Sequence, residues 1–236
     1  MTDLTSSGRW IGAGILLGYA LDIGSNFYLQ PMIRTGDGPM GLFAGASSQP
    51  GLVSLIVLVG MVSGIVSVAI AALVCQLLLA KPFAWLAFLL LALRAASFGM
   101  GGGELASYQL FRSLGDAMLA APHGALAGLA EPVWSLVTLQ RDGLHYPHLL
   151  LGGTGALILY AILLRSGWVP RWLAIAGLLA TASQMTGVFT GILNGEVLFQ
   201  FLVPLALVQL IAGLWLVARG FSGGMLPERI KFQENQ

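Results

Sequence analysis

LVSLIVLVGMVSGIVSVAIAALVCQLLLA, residues Leu52–Ala80, runs without one charged side chain and stops at Lys81-Pro82. About 20 apolar residues in an α-helix reach across the roughly 30 Å hydrocarbon layer of a bilayer. Such a helix bonds every backbone amide internally, as a medium without water demands. The stretch is therefore expected to cross a membrane, and it sets the class of the whole chain. Reading outward, further apolar runs fall at about 9–30, 83–108, 147–165, 170–193 and 197–219. Pro31, Gly36–Pro39, Lys81-Pro82, Ser166-Gly167, Pro170 and Asn194-Gly195 punctuate them. Three of the connections are very short, which makes spans 2 and 3, 4 and 5, and 5 and 6 antiparallel neighbours.

Composition agrees with a single membrane domain over residues 1–236. Of 236 residues 57% are hydrophobic and 9% charged, where a soluble domain carries roughly 25% charged residues. A net charge of +1 excludes a strongly basic nucleic-acid binder and an acidic tail. The one cysteine, Cys75, allows neither a disulfide framework nor a cysteine-based zinc site. No small-residue cleavage site follows Trp10–Leu21 before the polar segment, so the first run is expected to remain as a helix.

Lysine and arginine are retained on the cytoplasmic side of a membrane. With the N-terminus inside, Arg9, Lys81, Arg165, Arg171, Arg219, Arg229 and Lys231 fall on one face. Arg34, Arg112 and Arg141 fall on the other, and Arg94 stays within span 3. Both termini are thus expected in the cytoplasm. Trp10, Trp85, Trp168, Trp172 and Trp215 fall near inner ends and Tyr28, Tyr108 and Tyr146 near outer ends, as an interfacial aromatic belt requires. A seventh span through Ala117–Leu139 would bury His123 and Glu131 and place five of the inner cations outside. Residues 109–146 are read instead as an outer excursion with a short interfacial or re-entrant helix near Pro132–Gln140. A faint repeat lays Arg9–Leu17 over Arg171–Leu179 and Asp22 over Gln184. It fits a parallel repeat of helical hairpins or chance matching in low-complexity apolar sequence.

The turn Leu163-Leu164-Arg165-Ser166-Gly167-Trp168-Val169-Pro170-Arg171-Trp172-Leu173-Ala174 resembles a hallmark of an uncharacterised bacterial family of six-helix membrane proteins, the domain of unknown function 4386 family. Its members carry a similar Arg-Ser-Gly followed by Pro-Arg-x-Leu between helices 4 and 5. Arg9 opening span 1, Asp37 in the first outer loop, Leu89–Arg94 in span 3, and Leu214–Val217 with Gly220-Phe221 after span 6 also fit. Where the family usually places an acidic residue shortly after the arginine of helix 3, this chain has Ala95-Ala96-Ser97. The resemblance implies six-helix topology and a bacterial inner membrane, and it implies no reaction.

An ionisable group deep in hydrocarbon costs about 2.5–3.5 kcal/mol even on the lenient insertion scale, which makes it a functional-site candidate. Asp22 lies 13 residues beyond Arg9 and Arg94 lies 12 beyond Pro82. Both stand roughly 18–20 Å above the inner surface on helices running the same way. They are expected to pair, with Asn26 one turn above Asp22, either as a tie between helices or as part of a ligand site. Gln184 reaches the same depth in span 5, and Gln209 is half-buried in span 6. These side chains either line one central cavity or make separate helix–helix hydrogen bonds.

Gly99-Met100-Gly101-Gly102-Gly103-Glu104 marks an end of span 3 that is broken or tightly packed. Glu104, with Tyr108 one turn on, is a candidate general acid or an interfacial carboxylate facing water. His123, His145 and His148 supply nitrogen ligands of the kind transition metals use. Pro147, however, is expected to interrupt the helix that would align them, so polar anchoring of a helix start is the competing reading. No motif names a cofactor. The lysines lie at inner ends, which excludes a retinal Schiff base, and there is no phosphate loop, nucleophile elbow or His-Glu-x-x-His.

The expected protein is all-α: a polytopic six-helix membrane bundle with an interfacial or re-entrant segment between helices 3 and 4. Its first expected role is binding or transport of a lipophilic or amphipathic small molecule through Asp22, Asn26, Arg94, Gln184 and Tyr108. The alternatives are an intramembrane enzyme using Glu104 or Asp22 on a lipid or isoprenoid-like substrate, and an accessory subunit of a membrane complex. Membrane lipids are the expected surroundings, and a homo-oligomer is compatible with the pattern.

Overall fold

The computed structural model describes residues 4–121, 127–194 and 198–222. Among them the chain is helical and contains no strand. The first helical run comprises α1 (Leu4–Ile23), a π-helical stretch at Gly24–Leu29 and the single turn α2 (Gln30–Met32). There follow α3 (Gly38–Ser48), α4 (Pro50–Leu78), α5 (Ala84–Ala120), α6 (Ala130–Ser166), α7 (Arg171–Asn194) and α8 (Val203–Arg219). Among the described residues four helices are long and apolar enough to cross a membrane: Pro50–Leu78, Ala84–Ala120, Ala130–Ser166 and Arg171–Leu193. The apolar α8 is shorter, at 17 residues. Six crossings therefore go beyond what length and hydropathy support.

Exposure explains why these helices need lipid. α4 turns Leu55, Leu58, Val62 and Ile65 outward, and α7 does the same with Leu179, Phe189 and Leu193, the last 80% exposed. Apolar surface of this extent is foreign to a water-facing monomer and ordinary against acyl chains.

The chain forms two compact units. Residues 1–17, 67–94 and 150–236 make one, and residues 18–66 and 95–149 the other. In the first, Ile11, Val74, Leu78, Leu90, Ile162 and Leu216 form the centre of a core with at most 1% exposure each. Glycines let α1 and α8 touch backbone to backbone. A Cβ added at Gly12 would lie 2.6 Å from Leu216 Cβ, and one at Gly8 would lie 2.2 Å from the Phe221 nitrogen.

The Arg165–Leu173 turn also belongs to this unit. Gly167 takes φ +66°, a left-handed conformation that favours glycine. Trp168 then stacks on Phe221 with ring centroids 4.6 Å apart, and the Ser222 amide donates to the Trp168 carbonyl at 3.0 Å. Pro170 accepts the first amides of α7, from Leu173 and Ala174. The motif therefore works as a plug that fixes the chain just beyond α8.

The second unit is built around Ile33, Phe43, Val53, Ile56, Tyr108 and Phe111. Residues 31–51 fall between the first two expected spans, and the structure places α3 there. Gly38 turns the chain at φ +70°, Pro39 occupies the first helical turn, and Phe43 packs on Phe111 at 6.0 Å. A Cβ at Gly115 would lie 2.2 Å from the Phe43 carbonyl oxygen, so α3 rests directly on the backbone of α5. Ser47 on α3 also bonds the Asp116 carboxylate of α5.

Within the expected outer excursion at 109–146, the short separate helix is corrected. Residues 109–120 continue α5 and residues 130–146 open α6, so Pro132–Gln140 lies inside a long helix rather than forming a separate surface helix. The physical reason is apolar spacing. Leu110, Phe111, Leu114 and Met118 carry the buried stripe of α5 into the second core, and Val133, Trp134 and Val137 do so for α6. Pro147 does not break α6. Bonds to α5 on both sides of the proline hold the helix in line.

Candidate functional site

Residues at helical spacing hollow out the first unit. α4 contributes Ser67, Ile70 and Ala71, α6 contributes Ala156, Leu159 and Tyr160, and α5 contributes Leu90 and Arg94. Spacings of three and four put each set on one helix face. Ile15 of α1 and Gln209 of α8 complete the wall. The partly open cavity offers about 50 Å³ to the centres of water-sized molecules. That is room for roughly three to five waters, taking about 10–15 Å³ for each.

Arg94 is the one charged residue in this wall, with Ser67, Tyr160 and Gln209 as its neutral polar groups. Its place depends on a missing side chain, because a Cβ at Gly155 would lie 3.1 Å from Arg94 Nε. Tyr160 is held from the other side. Its ring lies flat on Gly177, where a Cβ would sit 2.1 Å from Cδ1. The neighbouring Thr181 hydroxyl donates to the Gly177 carbonyl at 2.7 Å, which absorbs its own polarity within α7.

Gln184 is in the same unit but outside the cavity wall. Its Oε1 is buried without a hydrogen-bond partner, beside Gly153, where an added Cβ would lie 3.6 Å away. Asp22, Asn26 and Tyr108 belong to the second unit. Asp22 accepts a hydrogen bond from Ser63 at 2.6 Å. Asn26 sits in the π-helical stretch and accepts from Gln30 Nε2 at 2.7 Å. Tyr108 is 4% exposed and meets Phe111 edge-on at 6.3 Å, as a core aromatic does.

The second unit contains a polar cluster of its own between α5 and α6. His145 Nδ1 donates to Glu104 Oε1 at 2.9 Å, with the Glu104 side chain 16% exposed. One turn along α6, His148 Nδ1 lies 2.7 Å from the Ser97 carbonyl oxygen. A carbonyl only accepts, so this nitrogen carries a proton. The Ser97 hydroxyl in turn donates to the His148 carbonyl at 3.2 Å. The glycine string makes the approach feasible. A Cβ at Gly101 would lie 3.0 Å from His148 Cε1, and one at Gly103 would lie 3.0 Å from a Leu144 methyl. The string thus lies inside α5 rather than at its end, and the helix is unbroken there and closely packed at Gly101 and Gly103.

His145 and His148 thus anchor α6 to two different groups of α5. Among the described residues no three His, Cys, Asp or Glu side chains come together as metal ligands do. His123 lies outside the described residues. Sequence reasoning missed Ser63, Ser67, Tyr160 and Gly155. Ser63 and Ser67, one turn apart in the uncharged Leu52–Ala80 run, were the available signal.

Long apolar helices with exposed apolar faces, a half-buried arginine within one of them and close glycine contacts define a membrane-embedded helical protein. Residues 10–220 match the family described as Domain of unknown function (DUF4386), and the chain belongs to that family. No curated protein and no solved structure matches it.

Proposed function

We propose that the protein is a membrane binding or transport module that receives the polar end of a lipophilic or amphipathic small molecule in the Arg94 cavity. The observation that carries this reading is an arginine facing an open space with three neutral polar side chains in an otherwise apolar wall. Convergence of a few polar groups in apolar surroundings is the usual form of a small-molecule site. The dimensions narrow the reading. Sites for whole drug-sized molecules run to roughly 300–1,000 Å³, so this cavity suits a head group whose apolar remainder leaves through the mouth.

Ala156→Leu fills the cavity from α6 without touching a charge. Native mass spectrometry of the full chain, released from detergent, is expected to show a retained small molecule on the wild type and its loss from the filled variant. Equal retention by both proteins would remove the cavity from the account.

A second reading, acid–base chemistry on a lipid or isoprenoid-like substrate, is favoured by the Glu104–His145 hydrogen bond. In this reading His145 orients the carboxyl and Glu104 exchanges the proton. A bacterial inner membrane with both termini in the cytoplasm completes the proposal, on the strength of the lysine and arginine distribution.

A further inference from the structure

Several hydroxyls in these helices turn their polarity back onto the chain. Ser54 donates to the Pro50 carbonyl, Thr154 to that of Leu150, Thr181 to that of Gly177 and Thr186 to that of Ala182, each one turn back along its own helix. Three neutral polar side chains in the cavity wall do otherwise. Among the described residues Ser67, Tyr160 and Gln209 meet no hydrogen-bond partner, while Arg94 is already engaged. Tyr160 is 4% exposed, and its oxygen is not among the described side-chain atoms shut in without a partner. It therefore keeps its free surface toward the cavity it lines.

The chemistry of these three groups selects what completes them. The serine and tyrosine hydroxyls both donate and accept, whereas the Gln209 amide has an NH2 that donates and a carbonyl oxygen that only accepts. A head group that only accepts, such as a quinone carbonyl, an ester or an ionised carboxylate, leaves that oxygen bare, and a buried polar atom left unpaired costs more than a made bond returns. One that only donates, such as an ammonium, leaves the NH2 bare instead. A hydroxyl supplies one donor and two acceptor lone pairs, so it answers both halves of the amide. From this we infer that the head group held in the cavity is an uncharged hydroxyl, and that the ligand is a long-chain alcohol or the hydroxyl end of an acylglycerol with its chain lying in the bilayer. The inference rests on the reading of the cavity as a binding site and names the ligand's chemistry.

Size and surroundings agree. The space of roughly three to five waters admits one or two hydroxyls and the first carbons of a chain. Ile15, Ile70, Leu90 and Leu159 give the rest of the wall an apolar surface, so those carbons meet side chains of their own kind. Ser67 comes from α4, Tyr160 from α6 and Gln209 from α8, and a bound hydroxyl draws its hydrogen bonds from helices far apart in the chain.

The test uses hexadecanol, hexadecyl methyl ether, hexadecanoate and 1-hexadecanoylglycerol as probes of the full chain in a neutral detergent. Native mass spectrometry counts the one-to-one complexes, at a pH where the acid is ionised. The ether keeps the accepting oxygen of the alcohol and lacks its donor. The wild type should bind hexadecanol roughly fivefold more tightly than the ether, the fold-change of about one net hydrogen bond. Gln209→Met, which removes the amide and keeps an unbranched stem, should close that gap. Tyr160→Phe should weaken the alcohol by a similar factor with no loss of thermal stability, because the hydroxyl has no partner in the protein to lose. It keeps the inference testable if Gln209→Met does not fold. Tighter binding of the glycerol ester than of hexadecanol assigns the hydroxyl to a glyceride, and the reverse order assigns it to a fatty alcohol.

If alcohol and ether bind alike to the wild type, yet Ala156→Leu abolishes both, the hydroxyl assignment is wrong and the cavity reading stands. Tighter binding of hexadecanoate than of hexadecanol would also overturn the hydroxyl, as would a Tyr160→Phe protein that loses stability and binds the alcohol unchanged. Binding that Ala156→Leu leaves untouched, or no binding of any probe to the wild type, would overturn the cavity reading itself.

Discussion

His145 of α6 holds Glu104 of α5 at 2.9 Å, and three residues further along α6 His148 is bonded to Ser97 of α5. Two imidazoles thus fasten one helix to the other on either side of Pro147. A hydrogen bond involving a charged group contributes roughly 1.5–3 kcal/mol. Glu104→Gln and His145→Ala are each expected to lower stability by about 1–2 kcal/mol in reversible unfolding by a denaturing detergent. The double variant should lose less than the sum, and strictly additive losses would show that the two side chains do not work together.

The glycines separate into two groups with opposite expected effects. At Gly12 a Cβ would meet Leu216 Cβ at 2.6 Å and the Val217 nitrogen at 2.8 Å, so the main chains of α1 and α8 would have to part. Gly12→Ala should destabilise the fold by about 1–3 kcal/mol, the usual range for overpacking. Gly99 has open space at the same position, and Gly99→Ala should be neutral or stabilise by up to about 1 kcal/mol through helix propensity. Thermal unfolding of the two variants in one detergent checks both signs together.

Orientation is open to chemical labelling. Cys75 is buried and is the chain's single cysteine, so a Cys75→Ala background gives a clean start. A cysteine placed at Lys81, exposed in the turn between α4 and α5, should react with an impermeant maleimide only after the cell is opened. One placed at Asp37 should react in intact cells once the outer membrane is permeabilised. The reverse pattern would invert the topology.

Much of the helical framework was legible, because uncharged runs such as Leu52–Ala80 have one low-energy solution in lipid. The family turn was legible too, and the structure supplies its physics in the left-handed Gly167 and the stacking of Trp168 on Phe221. What escaped was structure stabilised by tertiary contacts. Residues 38–48 carry glycines and a proline that weaken the local helix signal, and α3 exists because Phe43 and Gly115 seat it on α5. Pro132 and Pro147 argued for boundaries. In the fold one lies in the first turn of α6, and the other is bridged by the histidine contacts. In the cavity Arg94 stood out as a charge in an apolar run, while Ser67, Tyr160 and Gly155 are ordinary residues there until the helices assemble around them.

The contact of Gly12 with Leu216 also bears on the order of events during synthesis. About two hundred residues separate the two positions, and translation adds roughly 5–20 residues per second. The small-residue face of α1 therefore stands without its partner for on the order of ten seconds or more before α8 emerges. Ile15 and Gln209, which α1 and α8 bring to the cavity wall, come together only at that last step. A nascent or truncated chain ending before α8 consequently has an unfinished binding chamber and a bare glycine surface, the kind of feature by which membrane quality control tells an incomplete protein from a finished one.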